Sequence, residues 1–189
     1  MTTTVEPATS TAVPTAAVLR NLYLVRFGFA VVWAVLLFLT ASSIGPVSAT
    51  LLVLYPLFDV AAAVVDLRAS RAGRASVGLR VNVVLSLLTA LGLGVAVTSG
   101  APAVLRVWGA WAITAGIVQL VVAVRRYRLG GQWAMILSGG ISVLAGGGFV
   151  MMAGGPDPVL TSLAGYATLG GIFFLASAVR LHRVARAQR

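Results

Sequence analysis

Pro46, Pro102 and Pro158 stand 56 residues apart, and each opens an apolar run of twenty-odd residues that ends on an Arg-x-x-Arg pair, Arg68/Arg71, Arg125/Arg128 or Arg180/Arg183. A helix needs a run of that length to cross about 30 Å of hydrocarbon. Proline suits the first turn of a helix, where its missing N–H has no intrahelical partner in any case, and paired cations mark the return to water. The punctuation predicts three copies of a helical hairpin in a membrane.

The charge-free stretches are 27–58, 81–105, 107–124, 129–156 and 158–179, and the first supplies two spans only if Gly45-Pro46 turns the chain back. With the span that contains Asp59, the expectation is six helices at about 22–41, 47–67, 77–98, 103–124, 132–153 and 159–181. The runs are continuously apolar, without the two-residue alternation of a membrane barrel. With 59% apolar and 10% charged residues and a mean hydropathy of +1.00, the chain lies far from soluble domains, in which about a quarter of residues are charged. The predicted fold is all-α and polytopic. Its hairpins, about 20–71, 77–128 and 130–183, share one orientation and are related by an axis along the membrane normal.

Residues 1–19, rich in Thr, Ala and Pro, read as a disordered tail, and 184–189 as a short basic one. The first apolar run is longer than the core of a secretory leader and a second span follows at once, so the first helix is expected to be retained.

The net charge of +10 is unevenly placed. If the amino terminus is cytoplasmic, Arg20, Arg26, Arg68, Arg71, Arg74, Arg80, Arg125, Arg126, Arg128, Arg180, Arg183, Arg186 and Arg189 all fall on the cytoplasmic side, leaving Arg106 outside. This is the positive-inside pattern, so both termini are placed in the cytoplasm. The expected partner is the bilayer, its anionic headgroups attracting the basic loops at about 1 kcal/mol per charge. A second copy of the chain or another membrane protein is a further partner class; nucleic acid, which would need a folded basic domain, is not expected.

The chain has no cysteine and no lysine, which removes disulfides, thiolate metal sites and Schiff-base chemistry. Arginine does not deprotonate at accessible pH, so the candidate proton-exchanging groups reduce to Glu6, Asp59, Asp66, Asp157 and His182. No catalytic, cofactor-binding or metal-binding set emerges, and an enzyme is not expected.

The repeat extends to single residues. Gly116-Ile-Val-Gln-Leu-Val-Val-Ala-Val-Arg125 matches Gly171-Ile-Phe-Phe-Leu-Ala-Ser-Ala-Val-Arg180 at Gly, Ile, Leu, Ala, Val and Arg. Ser86, Ala90 and Gly94 in the third span correspond to Ser138, Ser142 and Gly146 in the fifth, 52 residues on. The fourth and sixth carry Gly109/Ala112/Gly116 and Ala164/Ala167/Gly171. Small residues at this spacing share one helix face and let backbones approach in lipid, so these stripes read first as packing surfaces of close-packed hairpins and second as cavity walls. The clusters Gly139-Gly140 and Gly146-Gly147-Gly148 mark the fifth span as one that kinks or loosens. Inverted repeats, a signature of many alternating-access transporters, are not seen.

Asp59 breaks the apolar pattern. Aligning Arg68 with Arg125 and Arg180 puts it where Gly116 and Gly171 stand in the other copies, on the small-residue face near mid-span. Charged and unpaired there it costs about 3 kcal/mol or more, so it is either protonated or paired. One reading is a proton or cation site; the other is a structural bond to Arg26, Arg80 or Asn82. Asp66 lies two turns away among Arg68, Arg71 and Arg80 and reads as a surface ion pair. Asp157 before Pro158 fits a helix N-cap, His182 has no second ligand near it, and Arg106 reaches for the headgroups. Trp33, Trp108, Trp111, Trp133, Tyr23, Tyr127 and Tyr166 read as interfacial anchors.

The tandem hairpins with Gly-Ile-x-x-Leu closing on a basic turn, followed by Trp133-Ala-Met-Ile-Leu-Ser-Gly-Gly-Ile-Ser-Val-Leu-Ala-Gly-Gly147, resemble the HdeD-like short-repeat membrane proteins of bacteria. The resemblance covers about residues 20–183 and is best in spans four to six; Asp59 departs from the glycine expected at its position. It implies six spans in the inner membrane of a bacterial cell and a non-enzymatic role in acid or envelope stress. A small channel or transporter with Asp59 at its site is the alternative.

Overall fold

A computed structural model describes residues 12–69, 75–125, 127 and 132–187, with side chains from residue 17 and, in the third helix, from residue 77. Among them are six helices and no strand: α1 (Ala12–Thr40), α2 (Pro46–Ala69), α3 (Ala75–Ala96), α4 (Ala101–Arg125), α5 (Trp133–Met152) and α6 (Ser162–Ala187). All six are long and apolar enough to cross a membrane. Their outward faces carry large apolar side chains, with Leu144 and Met151 nearly four-fifths exposed at 78% and 79%. Such a surface is stable against hydrocarbon and not against water. The chain is a multi-pass membrane protein.

The helices begin and end where local chemistry dictates. Pro46 and Pro102 lie in the first turns of α2 and α4, as their missing N–H groups permit. The bend before α2 is tied by Ser48, whose Oγ accepts from the Gly45 N–H at 2.9 Å and donates to the Ser43 carbonyl at 3.0 Å. Gly100 turns α3 into α4 with φ +92°, a backbone conformation that glycine adopts without strain. Pro158 behaves differently. It lies ahead of α6, which starts at Ser162, so Asp157 is an exposed turn residue and caps nothing. Both expected tails are shortened by helix: α1 reaches back to Ala12 and α6 runs on through Ala187. Glu6, Arg71, Arg74, Arg126, Arg128 and Arg189 lie outside the described residues.

The six helices stand in a ring in chain order, each against the next, with α6 closing on α1. The ring is uneven. α4 with α5 and α1 with α6 are its most intimate pairs, whereas α5 and α6 scarcely touch, so the third expected hairpin is not a packed pair. Glycine explains the tightest contact. A methyl on Gly109 would lie 2.7 Å from the Gly146 carbonyl oxygen and one on Gly146 2.6 Å from that of Gly109; Gly116 and Gly139 repeat the arrangement two turns away, at 2.7 and 2.9 Å. Without Cβ atoms the two backbones touch, and dispersion replaces the hydrophobic effect that lipid withholds.

Of the small-residue stripes, Ala90, Ala112, Ala164 and Ala167 are buried, and Gly171 packs on Ala30 and Phe27 of α1. Gly94 departs from expectation: it faces outward with nothing within 4 Å of where a Cβ would stand.

Candidate functional site

Two halves of the ring differ in filling. In the half away from the basic loops, Trp33, Trp108, Leu37, Leu52, Leu93, Leu105 and Leu163 are fully buried and close the bundle. Trp33, Tyr55, Trp108 and Trp111 pack ring to ring there, with Trp33 and Trp108 stacked at 5.4 Å, Trp108 and Trp111 edge to face at 5.4 Å, and Tyr55 4.6 Å from Trp33. The expectation that these tryptophans anchor the chain at the interface is corrected: Trp33, Trp108 and Trp111 are 1%, 0% and 8% exposed. Trp133 and Tyr127 are exposed and pair edge to face at 6.0 Å near the basic end. The cluster leaves one imperfection, the Trp108 Nε1, buried without a hydrogen-bond partner.

Pro56 helps shape this region. It lies inside α2 and deprives the Leu52 carbonyl of its usual donor; one residue earlier, the Leu51 carbonyl accepts Trp33 Nε1 at 2.6 Å.

In the other half the helices surround a cavity of about 620 Å³ to which all six contribute. Its innermost lining residues are Tyr55, Trp111, Ser142 and Tyr166; towards the basic end lie Leu19, Asp66, Gly78, Gln132 and Arg180. Polar groups along the wall include Asn82, Gln119, Ser138 and Ser177. The volume falls within the range of ligand pockets, about 300–1,000 Å³, and a few polar groups in an otherwise apolar wall is their usual composition.

Asp59 sits in this wall, near its inner end, and is 8% exposed. Its Oδ1 is ion-paired with Arg26 Nη2 from α1. Its Oδ2 accepts Asn82 Nδ2 at 2.6 Å and Ser86 Oγ at 2.8 Å, both from α3. Ser86 in turn accepts Trp111 Nε1 of α4 at 3.2 Å. The Arg26 guanidinium lies over the Phe174 ring of α6, 4.3 Å from its centroid. Five helices are thus tied through one carboxylate whose charge is matched and whose oxygens are both occupied.

The sequence brought Asp59 together with Arg26 and Asn82 as candidates, and the structure joins all three. It does not join Arg80, which is exposed and makes no bond to Asp59. Ser86, expected on the packing stripe, is a hydrogen-bond donor to Asp59; its four-residue spacing from Asn82 puts both on one face of α3. Ser138 and Ser142 of the α5 stripe line the cavity, and Ser142 accepts the Tyr166 hydroxyl at 3.0 Å. Asp66 is a cavity residue as well, on the wall of α2 nearer the basic end. His182 is exposed, 3.4 Å through Nδ1 from Arg20, and Arg106 is exposed at the far end. Among the described residues no group of three His, Asp or Glu side chains could hold a metal.

Comparison of the chain with protein families, with curated proteins and with solved structures gives no match.

Proposed function

We propose that this membrane protein binds a small solute in its interior cavity and belongs to the transport class rather than to enzymes, with the Arg26–Asp59 pair at the floor of the site. One observation carries the reading: a cavity of about 620 Å³, with polar groups along its wall, ends at a sealed plug of tryptophan and leucine halfway through the bundle. A space closed on one side and lined by paired charges holds a solute before passing it on; a bundle serving packing alone has no use for it. The basic end is read as cytoplasmic because cations are retained on that side, and the membrane as the bacterial inner one on the resemblance to HdeD-like proteins.

The test has two stages. Purified protein is first screened for solutes that raise its melting temperature, with Gln119→Leu, which alters the wall away from the ion pair, as the comparison. A solute that stabilises the parent chain and not the variant supports the reading. Its flux is then measured in proteoliposomes, where Asp59→Asn is expected to reduce it at least tenfold. Unaltered flux in Asp59→Asn contradicts the site assignment.

A second reading follows the resemblance to HdeD-like proteins. The residues that carry it include Gly116, Gly139 and Gly146, which are among the points where α4 and α5 meet backbone to backbone. On this reading the chain supports the envelope under acid stress by packing against another membrane component or a second copy of itself. A strain lacking the protein should then survive low pH less well, and unaltered survival would count against it.

A further inference from the structure

We infer that the occupant of the cavity is a membrane amphiphile with an anionic headgroup, and that it reaches the cavity from the bilayer between α5 and α6. The inference rests on the solute-binding reading and names the class of solute.

The first observation is the seam. Among helices adjacent in the ring, α5 and α6 make by far the sparsest contact, well below even α1 with α2. What joins these two lies at mid-membrane and beyond it: the Tyr166 hydroxyl on Ser142 at 3.0 Å, the Phe149 and Tyr166 rings edge to face at 5.6 Å, and Ser162 Oγ 3.7 Å from Met152 Sδ. Lipid gives two apolar helices no hydrophobic reason to stay together, so a pair without close packing separates at small cost. Ser138 and Ile141 on α5 and Leu169 and Phe173 on α6 line the cavity on either side of this seam, and Leu169 is 46% exposed. Ile141, Leu169 and Phe173 give an entering chain apolar contacts, and the polar pair at the seam, Ser142 and Tyr166, is bonded to itself.

The second observation is where cation and apolar surface coincide. Arg180 belongs to the cavity lining and also to a groove on the outer face of α6 formed by Ile172, Leu175, Ala176 and Val179, with Arg183 at its rim. It therefore stands where the outer groove and the cavity meet, on the basic end, at the depth of headgroups. Arg180 and Arg183 outnumber Asp66, the one carboxylate at this end of the lining among the described residues, and two guanidiniums at that depth favour a phosphate-bearing head while the tail lies along the groove or within the cavity. A freely soluble metabolite would have no use for the groove or the seam. The chemistry that fits both is an anionic phospholipid.

The absence of cysteine makes the test direct. In a Trp133→Phe background, which removes the exposed tryptophan, the protein is reconstituted into phosphatidylcholine vesicles containing phosphatidylglycerol with dibrominated chains. Bromine quenches indole at short range, and Trp111 lines the cavity. Interior fluorescence is expected to fall at least twofold against unbrominated vesicles, and less when the bromines are carried on phosphatidylcholine alone. Ser142→Cys with Tyr166→Cys, bridged by a short bifunctional thiol reagent, should restore most of the signal; Ile141→Cys with Leu169→Cys repeats the test should the first pair fail to fold. Quenching that is absent, or identical before and after bridging, overturns the inference. A parallel Ser138→Cys variant separates it from the underlying reading. Labelling of that thiol by a water-soluble reagent without lipid quenching leaves the cavity open to aqueous solutes and refutes only the amphiphile, whereas neither labelling nor quenching refutes both.

Discussion

Asp59 of α2 and Arg26 of α1, 33 residues apart in the chain, form an ion pair at the inner end of a cavity, and Asn82 and Ser86 of α3 occupy the carboxylate's second oxygen. The arrangement makes a charge in mid-span tolerable: each ion is the other's counter-ion, and the remaining lone pairs are hydrogen-bonded.

The pair should behave as a unit. Arg26→Met or Asp59→Leu alone strands the opposite charge in a low-dielectric wall and is expected to cost about 3–5 kcal/mol of stability, while the double substitution recovers most of that loss. Thermal unfolding of the four proteins in detergent measures the coupling. Additive losses in the double variant would show the two charges to be independent.

The α4–α5 contact predicts a sharp contrast among glycines. Gly116→Ala or Gly146→Ala drives a methyl against a carbonyl oxygen and should destabilise by about 1–3 kcal/mol. Gly94→Ala and Gly147→Ala, where nothing lies within 4 Å, should be neutral or stabilising by up to about 1 kcal/mol through helix propensity. Melting temperatures of the four variants decide it, and equal losses at all four positions would remove the packing account.

Ser86→Ala withdraws a donor from Asp59 and the acceptor of Trp111 Nε1 in one step. A cost of about 1–3 kcal/mol is expected, with a changed emission maximum from Trp111 as the signature of its lost hydrogen bond. A variant that loses stability while its tryptophan spectrum stays fixed would show that Ser86 acts only by filling space.

Length, charge and proline placement made the six spans legible, because a membrane imposes one requirement on every span and that requirement is compositional. Asp59 and two of its partners were legible for a related reason: a buried carboxylate must be answered, and few residues near its depth can answer it. Trp33, Trp108 and Trp111 look like anchors in the sequence because an indole that fits a headgroup layer fits a packed core equally well, and composition does not say which. The loosened α5–α6 seam was not legible at all. Consecutive helices joined by a short connection normally pack, and what overrides that here is the closer fit of α5 on α4 through Gly139 and Gly146, and of α6 on α1 through Gly171. Such preferences depend on both faces at once, whereas a stripe in the sequence describes one.

Where water reaches these helices distinguishes a cavity open on one side from a closed bundle. Single cysteines at Ser177, in the cavity wall, and at Ser42, in the turn between α1 and α2, are treated with a membrane-impermeant thiol reagent in sealed vesicles of each orientation. Ser177→Cys is predicted to react only from the cytoplasmic face and Ser42→Cys only from the opposite one. Reaction of both from the same face, or of Ser177→Cys from the side closed by Trp33 and Trp108, would contradict it.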